Sequence, residues 1–218
     1  MSIEKAFNHI YTESSWGESE GSLSGGGSSR YINKTRNLFL AFAALRLDII
    51  EIHDICGDCN WQRDFMKLIP NVRYLGYDVS DVALSKARDQ NRTLSNMSIS
   101  HNSIDLTKTK PNKFTDGKSL FLVKEVIQHL PLEKGLSMIR NIKNAGFDYI
   151  AITHHDPDLF SKAVVNEDVE PGGFYPNNIF AEPFNFKNPL FNVADFIHDN
   201  LKSGMGNLIV FDLQEQEI

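Results

Sequence analysis

The only two cysteines of the chain, Cys56 and Cys59, lie three residues apart in the stretch IHDICGDCNW. A thiolate pair at the start of a helix would suit dithiol exchange. With His53 close by, the pair could instead be half of a zinc site, although no second Cys or His pair is suitably spaced. In a third interpretation, Gly57 lets the backbone approach a ligand closely, as in a nucleoside-binding turn between a strand and a helix.

Two acidic residues that end the next predicted strands favour the nucleoside interpretation. Asp78 stands at the tip of the second strand, where a carboxylate can accept hydrogen bonds from both hydroxyls of a ribose. Asp105 follows the third strand and could reach an exocyclic amine on a base. The sequence contains neither a GxGxxG nor a GxxxxGKS pattern, so no phosphate cradle is evident. Together these residues predict a site for an adenosine ligand that lacks phosphates.

Candidate catalytic residues follow the fourth and fifth predicted strands. His129 is the leading candidate for a general base, because an imidazole titrates near neutral pH; alternatively it only caps or packs beside the site. Glu125 could orient His129 or bind an acceptor. His155 could be a second base, or it could hold a divalent cation such as magnesium or manganese together with Glu125 and Asp156.

Five motifs occur in an order that resembles the class I S-adenosylmethionine-dependent methyltransferases. More narrowly, the chain is similar to a subfamily with CGDxNW, (R/K)(D/E)xxxHL and PFNF motifs, whose members are often associated with glycan synthesis. A weaker resemblance is to the methyltransferase module of a glycan-synthesis protein of large algal viruses. The matching segments are Trp16-Gly17 followed by SLSGGGSS, CGDCNW (Cys56–Trp61), KEVIQHL (Lys124–Leu130), NEDVEPGGFYPNN (Asn166–Asn178) and EPFNFKNPL (Glu182–Leu190).

The resemblance implies S-adenosylmethionine as cofactor and a hydroxyl acceptor on a sugar or glycan, including a deoxysugar such as rhamnose. It also implies fusion to, or association with, glycosyltransferases. The expected cofactor contacts are Cys56, Gly57, Asp58, Trp61, Asp78, Val79, Asp105 and Lys124.

The chain departs from the family pattern at the first turn. His53 stands where an acidic residue is usual, with Asp54 displaced by one position, and Ile55 and Cys59 replace glycines. These departures keep open a second interpretation, in which the chain is an inactive nucleoside-binding or scaffold module. A CxxC dithiol oxidoreductase is a third.

The elements that must position these residues alternate along the chain. Strands separated by helices predict an α/β, Rossmann-like fold with a mostly parallel central sheet and helices on both faces. Two late apolar runs, Leu190–Asp195 and Asn207–Leu213, suit a closing antiparallel pair, although the first could be helical. The predicted strands are Ile49–Asp54, Val72–Val79, Met97–Ile104, Ser119–Val123 and Tyr149–Thr153, and the predicted helices are Asn33–Leu47, Gln62–Leu68, Asp81–Asn91 and Leu132–Asn144.

We expect one domain over residues 1–218. Residues 1–32 are rich in Ser and Gly and are either a flexible linker or a lid over the cofactor, and the interleaved Tyr11, Trp16 and Leu23 favour the lid. Residues 33–155 form the cofactor-binding core. Residues 156–190, rich in aromatic side chains, form an acceptor-binding lobe, and residues 191–218 form the closing strands. The aromatic residues of the lobe are Phe174, Tyr175, Phe180, Phe184 and Phe186.

Composition limits the class of protein. The net charge of -6 over 218 residues argues against general nucleic-acid binding. Two cysteines give no disulfide framework, and the N-terminus lacks an apolar signal core. The longest apolar run, Leu38–Leu45, is too short to span a bilayer. We therefore expect a cytoplasmic protein, in the host cytoplasm if the chain is viral.

Overall fold

A computed structural model describes residues 1–17, 21–24, 48–156, 165–197 and 205–218, with the backbone alone for 193–197 and 205. The predicted helix Asn33–Leu47 and the Gly25–Ser29 part of the predicted lid lie outside the described residues. The strands are β1 (Ile49–Ile55), β2 (Arg73–Tyr77), β3 (Met97–Ile99), β4 (Lys118–Val123), β5 (Tyr149–His155), β6 (Phe191–Ile197) and β7 (Met205–Asp212). The helices are α1 (Ile3–Thr12), α2 (Gln62–Met66), α3 (Asp81–Asn91) and α4 (Leu132–Asn144), with a 3-10 turn at Ile127–His129.

The described strands form one seven-stranded sheet in the order β3-β2-β1-β4-β5-β7-β6. Strands β1 to β5 are parallel, and β7 runs antiparallel to both of its neighbours. The predicted fold class is confirmed, and the first of the two late apolar runs is a strand rather than a helix. The strand order reverses between β1 and β4, and ligands of open α/β sheets bind beyond the carboxyl ends of the strands at such a point.

Side chains alternate across the central strands, so the sheet is apolar on both faces. Phe121 and Val123 of β4 pack on the face covered by α1 and α4. Leu120 and Leu122 of the same strand pack on the opposite face, with α2 and part of α3. The fourth and fifth strands are buried along almost their whole length, which fixes the position of the loops at their carboxyl ends.

Helix α1 lies within the segment expected to be a Ser/Gly-rich lid, and the sequence analysis missed it. Ser2 caps its N-terminus by accepting a hydrogen bond from the backbone N–H of Lys5. Its apolar residues recur at helical spacing and are buried, which accounts for its stability on the sheet. They are Ile3, Ala6, Phe7, Ile10 and Tyr11.

Several predicted boundaries were wrong, and β2 for example ends at Tyr77 rather than Val79. β3 ends at Ile99 rather than Ile104, because the chain turns where the Ser100 hydroxyl donates to the Asn102 carbonyl. α2 ends at Met66. β5 continues to His155, so both histidines of the cluster lie on the strand rather than after it.

The described part of the acceptor lobe, residues 165–190, contains no helix or strand. Buried aromatic side chains hold it on the core: Tyr175, Phe184 and Phe186 are almost fully enclosed. Phe174 and Phe180 are exceptions, with 57% and 40% of their surface exposed. These side chains pack residues 165–190 on the core, and two aromatic rings of the segment are exposed to solvent.

Candidate active site

The cysteine turn closes tightly around Gly57. This residue has φ +55°, and a Cβ built on it would lie 2.9 Å from the Tyr11 hydroxyl oxygen, so only glycine fits. The backbone N–H of Gly57 donates to Oδ2 of Asp78 at 3.1 Å. The turn after β1 and the tip of β2 are thereby joined by a hydrogen bond.

Neither cysteine is placed for redox or metal chemistry. Both are free and buried, and Cys56 packs against Gly76, whose Cβ would meet the sulfur at 2.7 Å. A hydrogen bond from Cys59 together with burial raises the pKa of the Cys56 thiol well above its usual value. A dithiol mechanism needs a thiolate, so the structure disfavours the redox interpretation.

The unusual His53 is a core residue rather than part of the cofactor site. Its Nε2 lies 2.5 Å from Oε1 of Glu51, and its Nδ1 lies 2.9 Å from the Tyr77 hydroxyl. Burial lowers its pKa to about 4. The displaced Asp54 accepts hydrogen bonds from Gln62 and Tyr74, and burial raises its pKa to about 6. His53 and Asp54, which depart from the family pattern, are thus both hydrogen-bonded to other side chains inside the protein.

Asp78 is buried, with 4% of its surface exposed, and lines the space beyond the strand tips. Its two oxygens accept hydrogen bonds from the backbone N–H groups of Gly57 and Ser80, at 3.1 and 2.8 Å. Burial nevertheless raises its pKa to about 7, and the negative charge of Asp54 acts in the same direction.

A narrow slot of about 30 Å³ opens beside Asp78. The walls are formed by the ends of β1 and β2, the turns after β3 and β4, and helices α1 and α4. Asp105 lies in this wall, where Thr107 and Lys108 donate to its carboxylate at 2.6 Å each. Burial raises its pKa, but those two partners outweigh burial and the net pKa is lowered. The slot is lined by Ile3, Phe7, Tyr77, Asp78, Val79, Asp105 and Leu106, among others.

A second cavity of about 250 Å³ adjoins the slot and shares Phe7, Ile55, Asp78 and Val126 with it. It is lined by three of the predicted polar residues of this edge of the sheet, Lys124, Glu125 and His129. Trp16 and Phe174 provide aromatic walls. A slot lined by two carboxylates that leads into a cavity with a histidine suits group transfer between two bound molecules.

Glu125 follows β4 in a left-handed backbone conformation, with φ +55°. Its backbone N–H donates to the Thr153 hydroxyl at 2.8 Å, and Gln128 donates to its Oε2 at 2.7 Å. Burial raises the pKa of this carboxyl, but Lys124, His155 and His129 outweigh burial and the net pKa is lowered. Glu125 is therefore ionised, and a strained backbone held in place by hydrogen bonds is common at functional sites.

His129 is held in one tautomer. Its Nδ1 lies 2.7 Å from the carbonyl oxygen of Gly173, which can only accept, so Nδ1 carries the proton. Nε2 is then the nitrogen with the lone pair. Burial lowers the pKa of His129, although the Gly173 hydrogen bond opposes this. The ring is neutral at pH 7 and able to take a proton at Nε2.

The two histidines of β5 point to different surroundings. Asn177 donates through Nδ2 to the Thr153 carbonyl, which turns its Oδ1 toward Nδ1 of His155 at 2.7 Å. His154 instead accepts from the backbone N–H of Ile179 and contacts Phe180. His155 is near Glu125 and His129, whose pKa values it affects.

The predicted metal set of Glu125, His155 and Asp156 is not assembled as a metal centre. Within the described ranges, no group of three or more His, Cys, Asp or Glu side chains is arranged to hold a metal ion. Instead, Gln128 and Asn177 hydrogen-bond to the Glu125 and His155 side chains.

Three predicted cofactor residues are directed elsewhere, and Cys56, which packs against Gly76, is one of them. Trp61 is buried with Phe65 in the core on the opposite face of the sheet. Asp58 accepts hydrogen bonds from the Ser22 hydroxyl at 3.1 Å and the Leu23 backbone N–H at 2.7 Å. The carboxylate therefore anchors the N-terminal segment to the turn.

The sequence analysis missed Phe7 and Tyr11 as parts of the site and gave Trp16 no role in catalysis. A signal was present, because apolar residues at helical spacing from Ile3 to Tyr11 predict an amphipathic helix. The Ser/Gly composition of the following residues obscured it.

The sequence matches no protein-family model, and no curated protein is similar to it in sequence. Solved structures do match its fold. Magnesium protoporphyrin IX methyltransferase (ChlM) from Synechocystis PCC 6803, with bound SAH, aligns with a TM-score of 0.62 at 12% identity, over 95% of this chain and 96% of that one. The N-methyltransferase NodS from Bradyrhizobium japonicum WM9 aligns with a TM-score of 0.58 at 14% identity, over 93% and 97%.

A SAM-dependent methyltransferase from Anabaena variabilis ATCC 29413 also aligns, with a TM-score of 0.59 at 15% identity, over 96% of this chain and 94% of that one. The fold is that of class I methyltransferases. At such identities the likeness establishes the fold and nothing more.

No helix among the described residues is long and apolar enough to cross a membrane.

Proposed function

We propose that the chain transfers a methyl group from S-adenosylmethionine to a hydroxyl group of a sugar or glycan. The observation that carries the proposal is His129: a half-buried, neutral imidazole with its lone pair on Nε2, in a cavity that adjoins the nucleoside slot. A deoxysugar such as rhamnose is the favoured acceptor. We further propose that the chain belongs to the glycan-associated subfamily that its motifs resemble. Glycosyltransferases would then be its partners, and its location would be cytoplasmic.

The residues of the slot fit an adenosyl group. Asp78 at the tip of β2 suits the ribose hydroxyls, and Asp105 suits the exocyclic amine of adenine. Lys124, in the adjoining cavity, suits the carboxylate of the methionine end. Similar folds bind this cofactor, since ChlM has been crystallised with SAM and with SAH.

The chemistry needs alignment and proton removal. S-adenosylmethionine would supply the activated methyl group: the acceptor oxygen forms the new C–O bond, and the electron pair of the broken C–S bond stays on sulfur. His129 takes the hydroxyl proton at Nε2, and the ionised Glu125 nearby stabilises the resulting imidazolium. A positioned base contributes on the order of 10²–10⁴ in rate, and alignment of the reactants contributes about 7–11 kcal/mol.

Phe174 supports an acceptor with an apolar ring face. More than half of its surface is exposed (57%), yet its loop is fixed: Gly172 and Tyr175 donate backbone hydrogen bonds to the carbonyls of His129 and Gln128, at 2.8 and 3.1 Å. The ring lies 5.9 Å from that of His129. A rigid, exposed aromatic surface beside a base is a platform for the C–H face of a sugar.

The test is an acceptor screen with methyl-labelled cofactor, using methyl rhamnosides, other deoxysugar glycosides and glycans, with and without EDTA. We expect label on a hydroxyl, and a raised acceptor KM in Phe174→Ala. The matched control is Phe180→Ala, because Phe180 is an exposed aromatic of the same lobe that packs on His154 and Phe211. Transfer only to amines would contradict O-methylation. Cofactor binding without turnover on any acceptor would favour the inactive nucleoside-binding module.

A further inference from the structure

Residues 1–17 and 21–24, here called the N-terminal segment, contact both cavities of the proposed site. Ile3 and Phe7 of α1 line the nucleoside slot. Ile10 packs on the acceptor lobe so closely that a Cβ on Gly172 would lie 2.6 Å from its Cδ1. Asn8 accepts from the Ser80 hydroxyl at 2.7 Å, which ties the helix to the start of α3. One piece of chain therefore forms a wall of the cofactor site and touches the acceptor site.

The slot is too narrow for a purine in this conformation. Its volume of about 30 Å³ is enough for about two water molecules, whereas adenine is a fused two-ring base. The slot can admit adenine only if a wall moves outward. Helix α1 contributes Ile3 and Phe7 to the wall and α4 contributes Met138, while the other wall residues lie at the ends of sheet strands and in the turns that follow them. Because α4 is joined to the central strands β4 and β5 at its two ends, α1 is the wall that can move.

Trp16, in the same segment, lies over the ring of His129, the proposed general base. Its ring stacks on His129 with centroids 4.3 Å apart and an interplanar angle of 29°. A turn after α1 places it there: the Ser15 N–H donates to the Ile10 carbonyl, and Gly17 has φ +79°. Phe7 and Tyr11 meet the Trp16 ring edge-on, at 5.5 and 6.1 Å. Trp16 and α1 therefore form one packed unit.

We propose that Trp16 is a positioning residue for His129, and that it holds the ring in place only while α1 is seated over the cofactor cavity. His129 is held at its edge by the lobe, through Gly173, and on its face by the N-terminal segment. The inference rests on the proposed function and adds an order to it: α1 opens for the cofactor, closes over it and restores the stack, and the acceptor binds last.

The anchor of the segment is Asp58. Its carboxylate receives hydrogen bonds from Ser22 and Leu23, and Lys86 lies 3.4 Å from it while also donating to the Gly21 carbonyl. Residues on the far side of Trp16 from α1 are thus fixed to the cofactor turn. Asp58, the acidic residue of the CGDCNW motif, therefore holds the N-terminal segment against the cofactor turn.

The first experiment needs no acceptor. In a Trp61→Phe background Trp16 is the sole tryptophan, and a protonated imidazole stacked on it should quench its emission. We expect emission to fall as pH is lowered through the pKa of His129, and the response to disappear in His129→Gln. Lys124, Glu125 and His155 also face this region, and the His129→Gln trace corrects for them. If the emission of Trp16 shows the same pH response with and without His129→Gln, the stacking of Trp16 on His129 would be refuted.

The second experiment separates positioning from binding. Trp16→Ala should lower kcat on the order of 10²-fold, with the acceptor KM changed far less and S-adenosylhomocysteine still bound in calorimetry. Trp16→Phe, which keeps a flat ring over His129, should restore most of the rate, and Ser22→Ala should lower kcat although it lies away from the base. Equal kcat in wild type and Trp16→Ala would overturn the proposal. Absence of cofactor binding in the wild type would overturn the proposed function instead, while the fluorescence result would stand.

Discussion

Asp78→Asn should stabilise the protein at alkaline pH while weakening cofactor binding. A rise of the Asp78 pKa from 3.8 to about 7 corresponds to about 4 kcal/mol against the ionised form. Because the folded state holds the proton more tightly than the unfolded state, stability falls as pH rises from about 4 to about 7 and then stays lower. Asparagine removes that penalty.

The substitution also has a cost. Both oxygens of Asp78 accept backbone N–H bonds, from Gly57 and Ser80, and asparagine can satisfy only one of them. The lost hydrogen bond costs about 1–3 kcal/mol. The net gain in the free energy of unfolding is then about 1–3 kcal/mol at pH 8, and at pH 4 the variant should be the less stable protein.

Urea unfolding of both proteins at pH 4 and pH 8 measures the difference, and calorimetry with S-adenosylhomocysteine at pH 8 measures the function. A ribose held by an ionised carboxylate gains about 1.5–3 kcal/mol per hydrogen bond, so affinity should fall at least tenfold. The reasoning is refuted if Asp78→Asn destabilises the protein equally at both pH values, because the carboxylate would then carry no desolvation penalty.

Three further outcomes are expected. His129→Gln should lower kcat by about 10²–10⁴. The wild-type rate should fall with decreasing pH only below 6.5, because burial lowers the pKa of the base. A fall in rate that begins above pH 6.5, or one that persists in the variant, would exclude His129 as the base. Cys56→Ser with Cys59→Ser should cost about 1–3 kcal/mol of stability by burying hydroxyls yet leave cofactor affinity unchanged in calorimetry, and a lost affinity would restore a binding role for the thiols. Asp58→Asn should expose α1 to faster hydrogen exchange than in the wild type, and unchanged protection would show that Asp58 is not the anchor.

The sheet was predictable because its strands are short apolar runs bounded by turns and separated by helical periodicity. The same pattern placed Asp78 at a strand tip, and the structure joins it to Gly57 as expected. These are consequences of local sequence and of the geometry of parallel sheets, which brings successive strand ends to one edge.

The contacts of the N-terminal segment could not be predicted in the same way. Asp58 meets Ser22 and Leu23 across more than thirty residues of chain, and nothing in the spacing of these residues indicates that they pair. Trp61 was assigned to the cofactor from its motif, but α2 begins directly after it and its ring turns to the opposite core. Side-chain direction at a strand-to-helix turn depends on backbone angles that a motif does not reveal.

The central claim is that the slot between Asp78 and α1 binds S-adenosylmethionine. Calorimetry of the wild-type chain with S-adenosylhomocysteine tests it directly. The account predicts one ligand per chain, with affinity reduced at least tenfold by Asp78→Asn. No heat of binding, or an affinity that Asp78→Asn leaves intact, would contradict it.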